Sequence, residues 1–300
     1  MTAPPSDPAD LLVIGDRIYS SWSLRGWLLW AAFGRTVPVR LAPLFTPEFS
    51  PALDDLGVAT TVPAARIGGA PVWDSVAIAE TLAERWPDMW PTDPAMRAAA
   101  RSLVAEMHAG FQPLRRDCPM NLRHRFEGRA LSDAVRADLA RIEALWNWAF
   151  ALGSAPGPDP DQGWLFGAYS IADAFFAPVA ARIAGFALPV GAQAQAYVAR
   201  HLAHPPFRRW RAMGLADAVI QDRYEFEAPT PWPGPAPRPA KPVTGAAPEN
   251  EACPFSGRRV DAASLAEIDG SIFGFCNPWC RDKAVADPDA WPEVTALLHR

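Results

Sequence analysis

The chain has 300 residues, half of them hydrophobic and a fifth charged, with a formal net charge of -5. At roughly 100–200 residues per domain, that length makes two or three domains, and the charge offers no general attraction to nucleic acid or to an anionic membrane surface. No apolar run approaches the ~20 residues that span a bilayer, Met1 to Asp10 lack the basic and apolar stretches of a leader, and four cysteines are too few for a disulfide scaffold. A reduced, cytoplasmic protein is expected, with no nucleic-acid or membrane partner.

In chain order, Leu11–Gly15 is a short apolar run ending in glycine and reads as a buried strand. Ser23 to Phe33, rich in Leu, Ala and Trp and followed by Gly34, reads as a helix with a glycine stop. Val37–Leu41 is a second strand and Val62–Ile67 a third, with Gly68-Gly69 turning into Pro71–Trp73. Asp74-Ser75 then offers a cap to a helix over Val76–Arg85. The order is β-α-β, a gap, then β-β-α. Beyond Pro94 helical spacing takes over: Met96–Leu114, Asp133–Leu152, Ile171–Phe186, Ala192–Leu202 and Phe207–Met213. Ser170-Ile171-Ala172-Asp173 has the layout of a capping box, with Asp in place of Glu. Trp27, Trp30, Trp146 and Trp148 lie on apolar helices and read as core or subunit packing. Cys118 is isolated and carries no assigned role. A strand-and-helix half followed by a helices-only half predicts two packed domains, over 9–88 and 94–225.

Prolines at nearly every second position from Pro229 to Pro239 predict an extended, semi-rigid linker over 226–250. The remaining 251–300 form a small module with three of the four cysteines.

Three local features carry chemistry. Tyr19-Ser20-Ser21-Trp22-Ser23 lies between the first strand and the first helix. A hydroxyl there can donate to a bound sulfur, and the positive helix end favours a thiolate; the same serines can also serve only as caps. Val62-Pro63 precedes the third strand, where a cis bond would expose the Val62 backbone to an extended ligand. Asp74-Ser75 opens a helix whose N–H groups and hydroxyl can hold a carboxylate, while Asp accepts from an ammonium; an ordinary N-cap is the plainer reading.

In this order and frame, Tyr-Ser-Ser-Trp-Ser-Leu-Arg, Val-Pro, Asp-Ser and the later Ser170–Asp173 box resemble the bacterial glutathione transferase superfamily over about Leu11–Arg223, with a zeta-like serine motif. The resemblance implies a thioredoxin-like N-terminal domain, a helical-bundle C-terminal domain and a homodimer. It also implies glutathione as co-substrate and transfer of its thiol to a small electrophile. On that basis Ser20 activates the sulfur, with Ser21 and Tyr19 as rivals. Val62 pairs with the cysteinyl backbone beside a cis Pro63, and Asp74 and Ser75 hold the γ-glutamyl end. Trp22 stands where the zeta-like motif has cysteine, which weakens the case for that subtype's isomerase chemistry, and Asp74 where Glu or Gln is more usual. The electrophile would lie against the first long helix of the second domain. His108, Phe111, Arg115 and Arg116 are the polar and aromatic candidates there, or simply a packed or solvated face.

In the tail, Cys253-Pro254 precedes a Gly257 turn, and Asn277-Pro278 opens a helix that leaves Cys276 and Cys280 about one turn apart. Three thiolates suit zinc or copper(I), and a module this small gains from such a staple. Asp282, Asp287 and His299 are the nearby candidates for a fourth ligand. The pattern resembles the small TRASH/YHS-type modules, which implies metal binding. A second functional class follows: a non-catalytic scaffold of the glutathione-transferase type whose tail senses or carries a metal.

Overall fold

The computed structural model describes residues 9–153 and 163–298. Residues 1–8, read above for a leader, and His299 lie outside them. The described residues divide into two compact units: the first runs to His201 and adds Gln221–Pro233, and the second joins Leu202–Ile220 to the residues from Gly234 onward.

The first unit is built on β1 (Leu11–Ile14), whose Leu12, Val13 and Ile14 are fully buried. An unbroken apolar run suits a strand covered on both faces. β2 (Val39–Leu41) pairs parallel to β1, which requires the crossover supplied by α1 (Ser21–Ala31). β3 (Ala64–Ile67) pairs antiparallel to β1, and β4 (Ala70–Val72) to β3, giving the sheet order β2-β1-β3-β4. Gly68 and Gly69 make the hairpin with φ of 57° and 87°, a region glycine enters without steric cost. α2 (Ser75–Arg85) follows, capped by the Asp74 side chain on Val76 N–H at 2.9 Å. Asp10 ties hairpin to helix: it accepts from Gly68 N–H and pairs with Arg85, both at 2.8 Å.

The helix expected over Met96–Leu114 is two helices, α3 (Pro94–Ala109) and α4 (Gln112–Asp117). Phe111 takes φ 60° between them, and Pro113 has no N–H to donate to the carbonyl one turn back. After the short β5 (His124–Arg125) come α5 (Asp133–Gly153), α6 (Ile171–Gly185) and α7 (Ala192–Ala203). α6 is buried along almost its whole length and packs on α1 and α3, as a helix apolar all round must. The expected capping box opens it. Asp173 accepts from Ser170 N–H at 2.8 Å, Ser170 Oγ at 3.1 Å, Leu165 N–H at 3.1 Å and the Tyr197 hydroxyl at 2.8 Å. Trp30 and Trp146 are core residues, while Trp148 is exposed.

The second unit gathers α8 (Pro205–Ala216) with the cysteine-bearing residues. A helical domain running to 225 would include this helix. Instead α8 packs on α9 (Pro278–Ala286), with Arg208 bidentate on the buried Asp287 at 2.8 and 2.6 Å and Trp279 Nε1 donating to Asp217 at 2.9 Å.

Within the proline-rich segment expected as an extended linker, two short stretches pair in sheets. Thr230–Pro231 forms β6, antiparallel to β5 in the first unit. Ala240–Val243 forms β7, the edge of the sheet β7-β8-β9 with β8 (Leu265–Ile268) and β9 (Ser271–Gly274). Edge strands tolerate a residue without N–H, so Pro242 does not prevent pairing. The chain closes on α10 (Pro292–Leu298). Among the described residues no helix is long and apolar enough to cross a membrane.

Candidate functional site

A cavity of 1180 Å³ lies in the first unit. The β1–α1 turn contributes Tyr19, Ser20 and Ser21 to its wall; Val62 and Pro63 enter from before β3, and Asp74 from before α2. The fold therefore brings the three sequence features to one place. The Val62–Pro63 peptide is cis. Gly26 lets α1 lie directly on Pro63: a Cβ there would stand 2.7 Å from Pro63 Cβ.

The three candidate hydroxyls are not equivalent. Ser20 is the N-cap of α1: its Oγ accepts from Ser23 N–H at 3.3 Å and donates to Ser23 Oγ at 2.7 Å, which in turn accepts from Gly15 N–H at 2.9 Å. Tyr19 donates to Glu225 at 2.8 Å and accepts from Gln221 N–H at 3.2 Å; burial and the neighbouring carboxylate push its pKa up. Ser21 differs. Its Oγ accepts from Arg182 Nη2 at 3.1 Å, which leaves its own proton uncommitted.

Arg182 reaches Ser21 from α6 and is buried; its other hydrogen bond is Nη1 to Pro178 O at 3.2 Å. Two further guanidiniums, Arg25 and Arg115, stand 4.6 and 4.8 Å from the Trp22 ring. Burial, then mutual repulsion, lowers the pKa of Arg25, and the same two causes bring Arg182 to about 9. Burial lowers Arg115 as well. The Nε atoms of all three, and Nη1 of Arg25, have no hydrogen-bond partner among the described residues. The cavity thus has buried positive charge beside Ser21.

Of the residues expected at the electrophile side, Arg115 and Arg116 line the cavity, whereas His108 and Phe111 stand behind the wall. His108 Nε2 is 3.1 Å from Asp74, and its ring meets Trp22 edge-on at 5.2 Å. Burial lowers the His108 pKa, with Asp74 opposing. Arg115 is also held by Met107 and His108 carbonyls, and Arg116 is bidentate on Asp117. Phe111 is buried as the joint between α3 and α4. Ser75 is fully buried with an unpartnered Oγ, outside the lining. Cys118 lines the cavity, its thiol pushed up to about 11 by burial.

Sequence reasoning missed Arg182 and the returning segment Arg223, Tyr224 and Phe226, all of which line the cavity. Arg182 had a signal: apart from the capping Asp173, it is the one charge in Ile171–Gly185. The returning segment had none, since Tyr224 stacks on Tyr19, Arg223 lies over Phe45 and Phe226 packs on Phe126 and Phe186, all remote in the chain.

In the second unit the Sγ atoms of Cys253, Cys276 and Cys280 all lie within 4.8 Å of one another. Cys276 precedes the N-cap Asn277, whose side chain accepts from Cys280 N–H at 2.9 Å. Burial pushes the Cys253 thiol up, but hydrogen bonding by the backbone of Cys276, Phe255 and Ser256 outweighs it and brings it to about 7, while the Ser256 hydroxyl donates to Cys276 Sγ at 3.2 Å. Burial brings Cys280 to about 12, with Lys283 opposing. Donors aimed at a buried sulfur favour a thiolate, so the residues fit a soft or borderline cation. The proposed fourth ligands are engaged elsewhere: Asp282 with Arg281 and Asp287 with Arg208.

No family model matches the chain, and no curated protein matches it. Solved structures do. A glutathione transferase homolog from Burkholderia, solved with bound glutathione, aligns with TM-score 0.50 and 23% identity over 69% of this chain and 98% of its own. Glutathione transferase Omega 3C from Trametes versicolor aligns with TM-score 0.50 and 17% identity over 69% and 89%. A Tau class glutathione S-transferase from mango does so with TM-score 0.50 and 15% identity over 69% and 94%. The chain has the glutathione-transferase fold. A thioredoxin-like domain followed by a helical domain is that fold's plan, as expected from the sequence.

Proposed function

We propose that the first unit binds glutathione and holds its sulfur as a thiolate at Ser21 for transfer to a small electrophile. The observation that carries this reading is the Ser21 hydroxyl, which accepts from Arg182 and has no acceptor for its own proton among the described residues, on a residue that lines the same cavity as Val62, Pro63 and Asp74. A hydrogen bond to a charged sulfur is worth ~1.5–3 kcal/mol, or one to two pKa units. Val62 offers its backbone to the cysteinyl group; Asp74 and, after a small opening, Ser75 serve the γ-glutamyl end. The electrophile then occupies the side of the cavity next to Arg115. In this reading Ser20 is a cap and Tyr19 a brace. Trp22, in place of a cysteine, favours conjugation or thiol transfer over zeta-type isomerisation. A cytoplasmic homodimer assembled through the first unit completes the proposal.

The test is the ultraviolet thiolate band of bound glutathione, titrated in three proteins. Ser21→Ala is expected to raise the thiol pKa by about one to two units. Ser20→Ala is expected to leave it unchanged and to cost ~1 kcal/mol of stability through the lost cap. A pKa that moves with Ser20 and ignores Ser21 overturns the assignment. A third variant checks the Val62 contact: Gly26→Val drives a side chain into Pro63 and is expected to weaken glutathione binding at least tenfold, measured by calorimetry.

The thiol cluster supports a second role, for the other unit: Cys253, Cys276 and Cys280 bind one metal ion as thiolates, zinc ahead of copper(I). If wild-type protein takes up metal but shows neither glutathione binding nor transferase activity, the metal-carrying scaffold is the better reading.

A further inference from the structure

We propose that Arg182 is a positioning residue for thiol activation, fixing the Ser21 hydroxyl with its proton turned toward the bound sulfur. This rests on the reading of Ser21 as the sulfur's donor.

The sequence poses the question first. α6 is otherwise an apolar core helix, and enclosing a guanidinium in it is costly unless the charge is used. Asp173 cannot be its partner, because that carboxylate closes the capping box at the start of the helix, with four donors of its own. Arg182 lies near the other end, where it reaches a serine 161 positions earlier in the chain.

Counting protons gives the direction. A guanidinium only donates. With Arg182 Nη2 at 3.1 Å, Ser21 Oγ must accept there, so its single proton points elsewhere. The second anchor, Nη1 on Pro178 O at 3.2 Å, fixes the guanidinium plane and removes the freedom to swing away. Ser21 lines the cavity, so the proton is available to a ligand on that side. The glutathione S–H proton leaves to water; the thiolate then accepts from Ser21 O–H, which keeps its own proton.

Electrostatics act in the same sense. Arg25 from α1 and Arg115 from α4 face Arg182, and each repels it or is repelled by it; Cys118 and Tyr224 are the titratable groups on its other sides. The unpartnered nitrogens of this trio mark a place short of negative charge. A sulfur anion at Ser21 relieves that deficit, whereas a neutral thiol does not.

The experiment uses the full-length protein and glutathione. The thiolate band of bound glutathione is titrated in wild type, Arg182→Met, Arg182→Lys, Ser21→Ala and the double variant that combines R182M with S21A. Binding is measured by calorimetry at a pH where the thiol is neutral. Arg182→Met is expected to raise the thiol pKa by about one unit, a tenfold loss of thiolate below it, while neutral-thiol affinity changes less than about threefold. Arg182→Lys keeps a charged donor and is expected to recover most of the shift. In the S21A background, R182M is expected to add clearly less than it does alone, because the part that passes through Ser21 is already lost and only the direct effect of the charge remains. Equal pKa values in wild type and both Arg182 variants overturn the proposal, as does full additivity with S21A. If R182M does not fold, Arg182→Gln replaces it; glutamine's carbonyl can draw the Ser21 proton away, so the shift is expected to persist. Wild type that binds no glutathione, or binds it with an ordinary thiol pKa, defeats the underlying reading of the site and this proposal with it.

Discussion

Zinc-loaded protein is expected to lose one metal ion to EDTA and, with it, most of the stability of the second unit. Binding to the folded state alone stabilises by about 4 kcal/mol when free metal exceeds Kd a thousandfold. At ~4–8 °C per kcal/mol for a small domain, that is a shift of roughly 15–30 °C. The reason lies in the ligands. Cys253 comes from a turn before β8, and Cys276 and Cys280 from the start of α9, so only the folded chain brings them together. Calorimetry of the full chain with and without EDTA should resolve a transition that moves with zinc, and glutathione binding should survive chelation. Cys276→Ser removes the most exposed of the three ligands and is expected to weaken zinc at least a hundredfold while leaving glutathione binding intact. Protein that takes up neither zinc nor copper(I), and melts identically with chelator, would make the cysteines core residues.

Asp173→Ala is expected to destabilise the first unit by about 4 kcal/mol, a large part of the ~5–15 kcal/mol that holds a domain together. The side chain is fully buried, and its loss leaves four donors unpaired: two backbone N–H groups, the Ser170 hydroxyl and the Tyr197 hydroxyl. Each buried unsatisfied donor costs ~1–3 kcal/mol, and the capping box goes with them. Urea unfolding followed by tryptophan fluorescence measures this, since Trp146 and Trp164 both pack against Tyr197. The pH dependence has a definite sign. Burial raises the Asp173 carboxyl to about 6 despite its donors, above its unfolded value. Its contribution is therefore full below about pH 4 and declines as pH rises through about 6. Asp173→Asn, permanently neutral, should flatten that slope. An Ala variant within about 1 kcal/mol of wild type would refute the account.

What was legible in the sequence follows from which interactions are local. β1, α1 and α2 could be read because Leu12–Ile14 form an unbroken apolar run and because Ser20 and Asp74 cap the helices that follow them. The box at Ser170–Asp173 is likewise complete within four residues. The break at Phe111 was passed over because apolar spacing runs on through it, although Gly110, the C-cap of α3, and the proline at 113 are both stop signals. β6 and β7 were hidden for another reason. Their prolines argue for an extended chain, and whether such a chain pairs depends on distant partners, His124–Arg125 and Leu265–Ile268. In the site, the serines, the Val62-Pro63 turn and the cysteine cluster announced themselves by type and spacing. The difference in surroundings between Tyr19 and Ser21 did not, because Gln221 and Glu225 hold the one and Arg182 meets the other, all far along the chain.

The chain crosses between its two units more than once: residues 202–220 belong to the second, 221–233 to the first, and the rest from 234 to the second again. Such a protein cannot be trimmed back to its first unit by a single cut. A stop after 233 keeps Tyr224 and Phe226 at the cavity but strands the helix bearing Phe207, Trp210 and Met213 without its α9 partner. A stop after 201 spares that helix's exposure but removes Gln221 and Glu225, which hold Tyr19. The cysteine-bearing segment is therefore woven in rather than appended, and a gene shortened at either point would encode a sticky or an open-sided product.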